Sequence, residues 1–290
     1  MVTIFTPTYN RAYILQNLYD SLKKQTVSSF EWLIIDDGSI DGTEELIKKW
    51  RLENNTFSIR YYYFQNSGKQ KEINRALDLA FGDLFLVVDS DDQLTPNAIE
   101  LIYKWEKSVS EKGGFCGFAG SAGDYDGNPT NPLFESEYMD VSFFNRYLKC
   151  KPFIGHDRPW VFYTDIHRQY KYPEFEGEKF ITEAVVWNRM ANDGYKIRCY
   201  NDVIYLWEHQ EGGLTNEISQ ILVNNPKGFG LWRKELAEYF QYGIKDKIKM
   251  YYSFYCDEKD ICSMKKISDY IGCPKLLMKV LVYIYRLRHR

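Results

Sequence analysis

The sequence predicts an α/β protein built on a mostly parallel central sheet flanked by helices, with a helical C-terminal extension. Three observations carry this. Short β-branched or apolar runs alternate with helical stretches of about 10–15 residues through the first hundred positions, the pattern of strands joined by right-handed crossovers. One run, Leu84-Phe85-Leu86-Val87-Val88, is apolar throughout, as a strand buried on both faces must be. Beyond Pro226 the spacing of Leu231, Leu236 and Phe240 turns helical and stays so.

The elements follow in order. Val2-Thr3-Ile4-Phe5 reads as a strand ending at Pro7, and Ile14, Leu15, Leu18 and Leu22 recur at helical spacing up to Lys24. Phe30–Ile35 is the second strand and runs into the polar turn Asp36-Asp37-Gly38-Ser39. Asp41 or Thr43 then caps a helix whose inner face carries Leu46, Ile47 and Trp50. Ile59–Phe64 is the third strand; Gln65-Asn66-Ser67-Gly68 follows it, then a helix with Ile73, Ala76, Leu77 and Ala80 inward. The fourth strand stops at Asp89-Ser90-Asp91-Asp92, and Pro96 opens the next helix. Gly120–Pro132 reads as a loop on its Gly, Asn, Asp and Pro content, and Thr182–Asn192 as a helix.

Composition narrows the class. The 290 residues hold 37 basic and 40 acidic side chains, for a net charge of −3, with 44% apolar and 27% charged residues. This is the ordinary globular mix and excludes collagen-like, disordered and strongly basic nucleic-acid-binding chains, so no nucleic-acid partner is expected. No uninterrupted apolar run reaches the roughly 18 residues of a membrane-spanning helix, and Met1–Pro7 lacks the basic start of a secretory leader. The six cysteines form no CxxC pair, which argues for reduced thiols and against a structural zinc. Charge is uneven: residues 264–290 hold seven Lys or Arg against Asp269, a surplus of six, so the remainder carries −9.

In a parallel sheet, ligands bind beyond the carboxyl ends of the strands. Four polar clusters fall there: Thr8-Tyr9-Asn10, Asp36-Asp37-Gly38-Ser39, Asn66-Ser67-Gly68-Lys69 and Asp89-Ser90-Asp91-Asp92. Three carboxylates within four residues repel one another, and a hard cation such as Mg²⁺ or Mn²⁺ would relieve them, completing its shell with phosphate oxygens and water. A helix cap would need only one aspartate. Lys69 and the amides of its loop suit phosphates. Neither a Walker loop nor a GxGxxG fingerprint is present, which argues against a P-loop NTPase or a dehydrogenase.

Phe5-Thr6-Pro7-Thr8-Tyr9-Asn10-Arg11, Ile35 through Thr43, Asn66 through Asn74, and Val88-Asp89-Ser90-Asp91-Asp92 together resemble glycosyltransferase family 2, in order and in spacing. The resemblance implies a GT-A (nucleotide-diphospho-sugar transferase) fold over residues 1–220, with a nucleotide-binding half at 1–112 and an acceptor-binding half at 113–220. Residues 221–290 form the helical extension. It implies an inverting, Mn²⁺- or Mg²⁺-assisted transfer from a UDP-sugar. By matching positions, Pro7, Thr8, Tyr9 and Asp37 would hold the uracil base, Lys69 the phosphates, Asp89 either the ribose or the groups surrounding the metal, and Asp91 the metal, with His209 donating to phosphate or completing the metal shell. Glu183, in the place of the family's acidic pair, would be the general base, and Glu178 is the second candidate. Here Thr182 stands where the family has its first acid.

His156, Arg158 and Trp160 mark an acceptor region, since aromatic faces stack on sugar rings. Residues 264–290 join an apolar run to a basic end and read either as an interfacial helix on anionic lipid or as a docking helix with a solvated end. A glycan or lipid-linked oligosaccharide acceptor and a cytoplasmic location, peripheral to the membrane, follow from the resemblance. Two rival readings are a sugar-phosphate nucleotidyltransferase, for which the required Gly-rich basic loop after strand one is missing, and a catalytically impaired carbohydrate-binding scaffold.

Overall fold

The computed structural model describes residues 1–109, 113–155, 157–208 and 218–288, with the backbone alone at 288. The chain divides into two compact units, Met1–Lys171 with Arg189–His209, and Tyr172–Asn188 with Gln210–Arg290.

The first unit is built on a sheet whose strands lie in the order β3-β2-β1-β4-β8-β6-β9-β5, with β7 beside β9. Its first half is parallel: β1 (Val2–Thr8), β2 (Phe30–Asp36), β3 (Ser58–Tyr63) and β4 (Leu84–Val87). The helices α1 (Leu15–Lys23), α2 (Thr43–Arg51) and α3 (Lys69–Leu79) are the crossovers. After the short β5 (Gln93–Leu94) and α4 (Ala98–Ser108), the second half is mixed: β6 (Phe115–Gly123), β7 (Tyr138–Val141), β8 (Trp160–Tyr163) and β9 (Lys196–Leu206). A 3-10 turn (Phe143–Arg146), a one-turn α5 (Thr164–His167) and α6 (Ala184–Asn192) complete the elements up to β9.

The apolar periods become the core. Leu15, Leu18, Tyr19 and Leu22 of α1 bury against Trp32 of β2 and Trp50 of α2, with ring centroids 4.5 Å (Tyr19–Trp50) and 6.0 Å (Tyr19–Trp32) apart. Such large rings account for part of the 17% aromatic content as packing rather than ligand binding.

Three boundaries differ from expectation, each for a local reason. The first strand does not stop before Pro7: β1 continues to Thr8, because its pairing with β4 ends at Phe5–Val87 and the proline falls where only β2 is alongside. Helix α4 begins at Ala98, not at Pro96, whose carbonyl accepts the N–H of Thr26 at 2.9 Å. Gly120–Gly123 is strand, not loop. A Cβ on Gly120 would lie 2.6 Å from Ile204 Cγ1, so these small residues serve close packing against β9.

The second unit contains α7 (Ile218–Val223), α8 (Pro226–Tyr239), α9 (Ile244–Glu258), α10 (Met264–Ile271) and α11 (Lys275–Arg288). Phe229, Phe254, Ile267, Ile271, Met278 and Leu281 form its core. The inward face of α8 is that of Phe229 and Ala237; Leu231, Leu236 and Phe240 are only half-buried. Among the described residues, no helix is long and apolar enough to cross a membrane.

Candidate functional site

Parallel pairing brings the carboxyl ends of β1, β2, β3 and β4 to one edge of the sheet, and the loops after the first three are stitched together there. Asn10, in the left-handed region at φ 53°, donates its N–H to Ser39 Oγ (2.8 Å) and accepts that of Ile40 through its side chain (2.9 Å). Neither Asp41 nor Thr43 is the cap of α2, which is Gly42 in the left-handed region with no side-chain cap bond; Asp41 instead accepts the N–H of Ala12 (3.0 Å) and both the N–H and hydroxyl of Thr43, tying the start of the helix to the first loop. Gly38 has φ +91°, and a Cβ there would meet the Asn66 backbone N at 3.0 Å. Only glycine fits where the second and third loops touch.

Asp36 and Asp37 differ in role. Asp36 is fully buried and accepts the N–H of Ser39 (2.7 Å) and the hydroxyl of Tyr61 (2.9 Å). Asp37 is also buried, and its two oxygens accept the N–H groups of Ser67 (2.6 Å) and Gly68 (2.9 Å) and the side-chain amide of Asn66 (3.1 Å). The carboxylate expected to meet a base therefore also shapes the 66–68 loop. Beneath that loop Glu72, fully buried, accepts from the Ser67 hydroxyl (2.8 Å) and pairs with Arg75. Burial, with the Asp37 charge adding to it, pushes the Glu72 carboxyl up to about 7.

The Asp89–Asp92 cluster is relieved largely from within the chain. Lys69 Nζ lies 2.8 Å from Asp89 Oδ1 and 2.9 Å from Oδ2, joining the third loop to the fourth. Tyr205, on β9, accepts the N–H of Asp89 (3.2 Å) and donates to Asp92 Oδ2 (2.5 Å). Burial, then the Asp89 charge, raises the Asp92 carboxyl to about 8. Asp91 remains: its backbone carbonyl accepts from the Tyr125 hydroxyl (3.1 Å), and its carboxylate takes no hydrogen bond or ion pair among the described residues. Nor do three His, Cys, Asp or Glu side chains among those residues gather into a metal cage. A hard cation held by one or two carboxylates and otherwise by phosphate and water fits that donor set; a zinc-type site does not.

Pro7 lies in β1, Thr8 closes it, and Tyr9 is half-exposed beyond it. Thr8 Oγ1 and Gln70 Oε1 are buried without a hydrogen-bond partner among the described residues. Gln70, Glu72 and Tyr205 were not foreseen. Gln70 and Glu72 follow Lys69 in the first turn of α3 and were in reach of a helical-face reading; Tyr205 is 116 residues from Asp89 and carries no local signal.

The other predicted residues fall as follows. Glu183 immediately precedes α6, half-buried, its carbonyl accepting the N–H of Val186 (3.1 Å). Glu178 is not placed as a base: it is buried, and its oxygens accept the N–H groups of Lys227 (2.8 Å) and Gly228 (2.9 Å), capping α8. Arg158 and Trp160, expected near an acceptor, are core residues. Arg158 donates to the carbonyls of Ile154, Gly120, Tyr200 and Pro132, and Trp160 packs edge-on against Phe143 at 5.1 Å. His156 and His209 lie outside the described residues.

Known proteins carry the same pattern. Over 104 residues, 36% of the chain, it is 39% identical to a chondroitin synthase of Pasteurella multocida, of which it spans only 11%. It is 24% identical to the glycosyltransferase GlyG of Streptococcus pneumoniae over 263 residues, covering 85% of this chain and 80% of that one. The structure superimposes on S. aureus TarS 1-349 in complex with UDP-GlcNAc with a TM-score of 0.60 at 17% identity, covering 99% of this chain and 91% of TarS 1-349, so the two share the GT-A fold. Residues 3–165, more than half of the sequence and all four loops, match the model of glycosyl transferase family 2, and the chain belongs to that family.

Proposed function

We propose that the protein is an inverting glycosyltransferase that moves a hexosyl or N-acetylhexosaminyl group from a UDP-sugar to a hydroxyl of a lipid-linked glycan. The process is bacterial surface-polysaccharide synthesis, at the cytoplasmic face of the membrane. The observation that carries this reading is the pairing of Lys69 with Asp89 at the strand ends, beside an Asp91 carboxylate that takes no hydrogen bond or ion pair among the described residues. A nucleoside diphosphate offers the lysine a second anion in competition with Asp89, and offers oxygens to a cation at Asp91. TarS bound to UDP-GlcNAc and the chondroitin synthase support the donor class and the polymeric product.

Pro7, Thr8 and Tyr9 hold the uracil base: Tyr9 supplies a stacking face, and the hydroxyl of Thr8 is a buried group with no hydrogen-bond partner among the described residues. Asp37 keeps the 66–68 loop in place and offers its remaining lone pairs to the base N–H. Lys69 turns from Asp89 toward the diphosphate, while Asp89 faces the ribose. Asp91, with His209, would hold Mn²⁺ or Mg²⁺, and such a cation would supply positive charge to offset the negative charge on the departing UDP. Glu183 accepts the proton of the acceptor hydroxyl as its oxygen bonds to the anomeric carbon and the bond to UDP breaks.

Calorimetric titration of UDP in the presence of Mn²⁺, with a panel of UDP-sugars assayed for slow hydrolysis, tests the reading. Binding of UDP and turnover of at least one UDP-sugar are expected. Absence of both overturns the donor assignment.

A further inference from the structure

Helix α11 carries two apolar faces, and the protein uses one of them. Met278, Leu281 and Val282 are buried in the helical core, and Tyr285 packs on Tyr255 with ring centroids 5.5 Å apart. On the other face Leu276, Val280, Tyr283 and Leu287 are 77%, 48%, 63% and 53% exposed. Their spacing of four, three and four residues makes a single stripe about 16 Å long, roughly opposite the buried face. Solvent-facing apolar residues scattered singly need no explanation, but four in a line do.

The charge beside the stripe says what covers it. Lys275, Lys279 and Arg286 are all exposed and share one helical row along its edge. From Lys275 to Arg288 there is no acidic residue. Lys265 and Lys266 of α10 are exposed as well. An apolar stripe bordered on one side by cations matches a surface that is apolar within and anionic at its rim. Long basic side chains can then reach phosphates while the stripe sits among acyl chains. At 14 residues α11 is too short to span a bilayer.

We propose that α11 is an interfacial helix that docks on its own unit by one face and seats on an anionic lipid bilayer by the Leu276–Val280–Tyr283–Leu287 stripe and the Lys275–Lys279–Arg286 row. This deepens the membrane location contained in the functional proposal and rests on that part of it alone. The two readings of the tail, docking helix and interfacial helix, are then two sides of one element.

The test is sedimentation of the full chain with vesicles of phosphatidylcholine alone or with about 30% phosphatidylglycerol, at low salt. Binding to the anionic vesicles alone is expected, weakening as salt rises. Lys275→Glu/Lys279→Glu should weaken it at least about 30-fold, and Leu276→Ser/Tyr283→Ser should abolish it. Because all four positions are exposed, both variants should keep the wild-type melting temperature and circular dichroism, which are measured alongside. Failure of the wild type to bind, or wild-type binding by the Leu276→Ser/Tyr283→Ser variant, overturns the proposal. So does a concentration-dependent dimer in light scattering that this variant abolishes, which would assign the stripe to a second copy of the chain. UDP binding is measured on the same samples, so loss of the vesicle result with UDP binding intact refutes the lipid contact and leaves the transferase reading standing.

Discussion

Replacing Asp37 by alanine isolates the contribution of loop shape to nucleotide affinity. The carboxylate accepts two backbone N–H groups, from Ser67 at 2.6 Å and Gly68 at 2.9 Å, and these charge-assisted bonds keep residues 66–68 against the second loop. Hydrogen bonds to a charged acceptor contribute about 1.5–3 kcal/mol each. Residues 66–68 are half-exposed, so water replaces part of what is lost, and the low end applies: about 1.5 kcal/mol for each bond, about 3 kcal/mol together. If the donor needs that loop in its folded position, this is the added ordering cost of binding, and the Kd for UDP should rise by roughly a hundredfold. Any direct bond from Asp37 to the base adds to that figure. Calorimetric titration of UDP with the wild type and Asp37→Ala measures it, and a melting curve shows whether the remainder stays folded. UDP affinity within about threefold of wild type, with the fold intact, would refute both the base contact and the idea that this carboxylate organises the loop.

Three further expectations follow from separate parts of the molecule. Asp91→Ala should remove the Mn²⁺-dependent part of UDP affinity while leaving the metal-free part, as read by titration with and without Mn²⁺; an unchanged metal effect would move the cation elsewhere. Glu183→Gln should lower turnover on the order of 10²–10⁴-fold at unchanged UDP affinity, the signature of a lost proton acceptor, and full turnover would exclude it as the base. Glu258, fully buried with neither carboxylate oxygen bonded among the described residues, is raised by burial to about 7. A raised carboxyl stabilises the folded state below its unfolded pKa near 4.5 and loses that contribution as pH rises through 7, here about 3 kcal/mol. Urea unfolding from pH 4.5 to 8 should show stability falling, with Glu72 and Asp92 contributing in the same direction, and Glu258→Gln should make the fall shallower by its own share; an unchanged fall in the variant would refute the contribution of Glu258.

The fold was legible where periodicity is local. Strands β1 to β4 and the helices between them lie within a few residues of their predicted places, because each buries a face whose period shows in a short window. It was not legible where composition and packing compete. The glycines of β6 look like a loop in sequence, and only the approach of Ile204 explains them. The site divides in the same way. Its loops were readable because a parallel sheet must deliver them to one edge. Arg158 and Trp160 were misread as acceptor contacts because a buried strut and a binding residue have the same letters. Glu178 looked like a base because nothing local reveals that the start of α8, about fifty residues on, needs its two oxygens.

The Asp89–Asp92 cluster shows how structure changes the chemical inference without removing it. Read alone, three aspartates in four residues demand a cation. Within the fold two of those charges are managed without a cation: Lys69 neutralises Asp89, and burial, with the Asp89 charge adding to it, raises Asp92 to about 8 against the lowering effect of the Tyr205 hydrogen bond, which favours the neutral carboxyl at neutral pH. The demand then narrows to Asp91, so the cluster is better understood as one prospective ligand with two supports than as three ligands. A second consequence concerns the lysine. Since its ammonium already lies between the Asp89 oxygens, a diphosphate must compete with that carboxylate for it, and Asp89→Asn should free the charge. If Lys69 serves phosphate, metal-free UDP should then bind tighter, not weaker. A fall in metal-free affinity would instead mean that the Asp89 carboxylate contributes more through the ribose than it costs by holding Lys69, and titration of that single variant shows which of its two roles dominates.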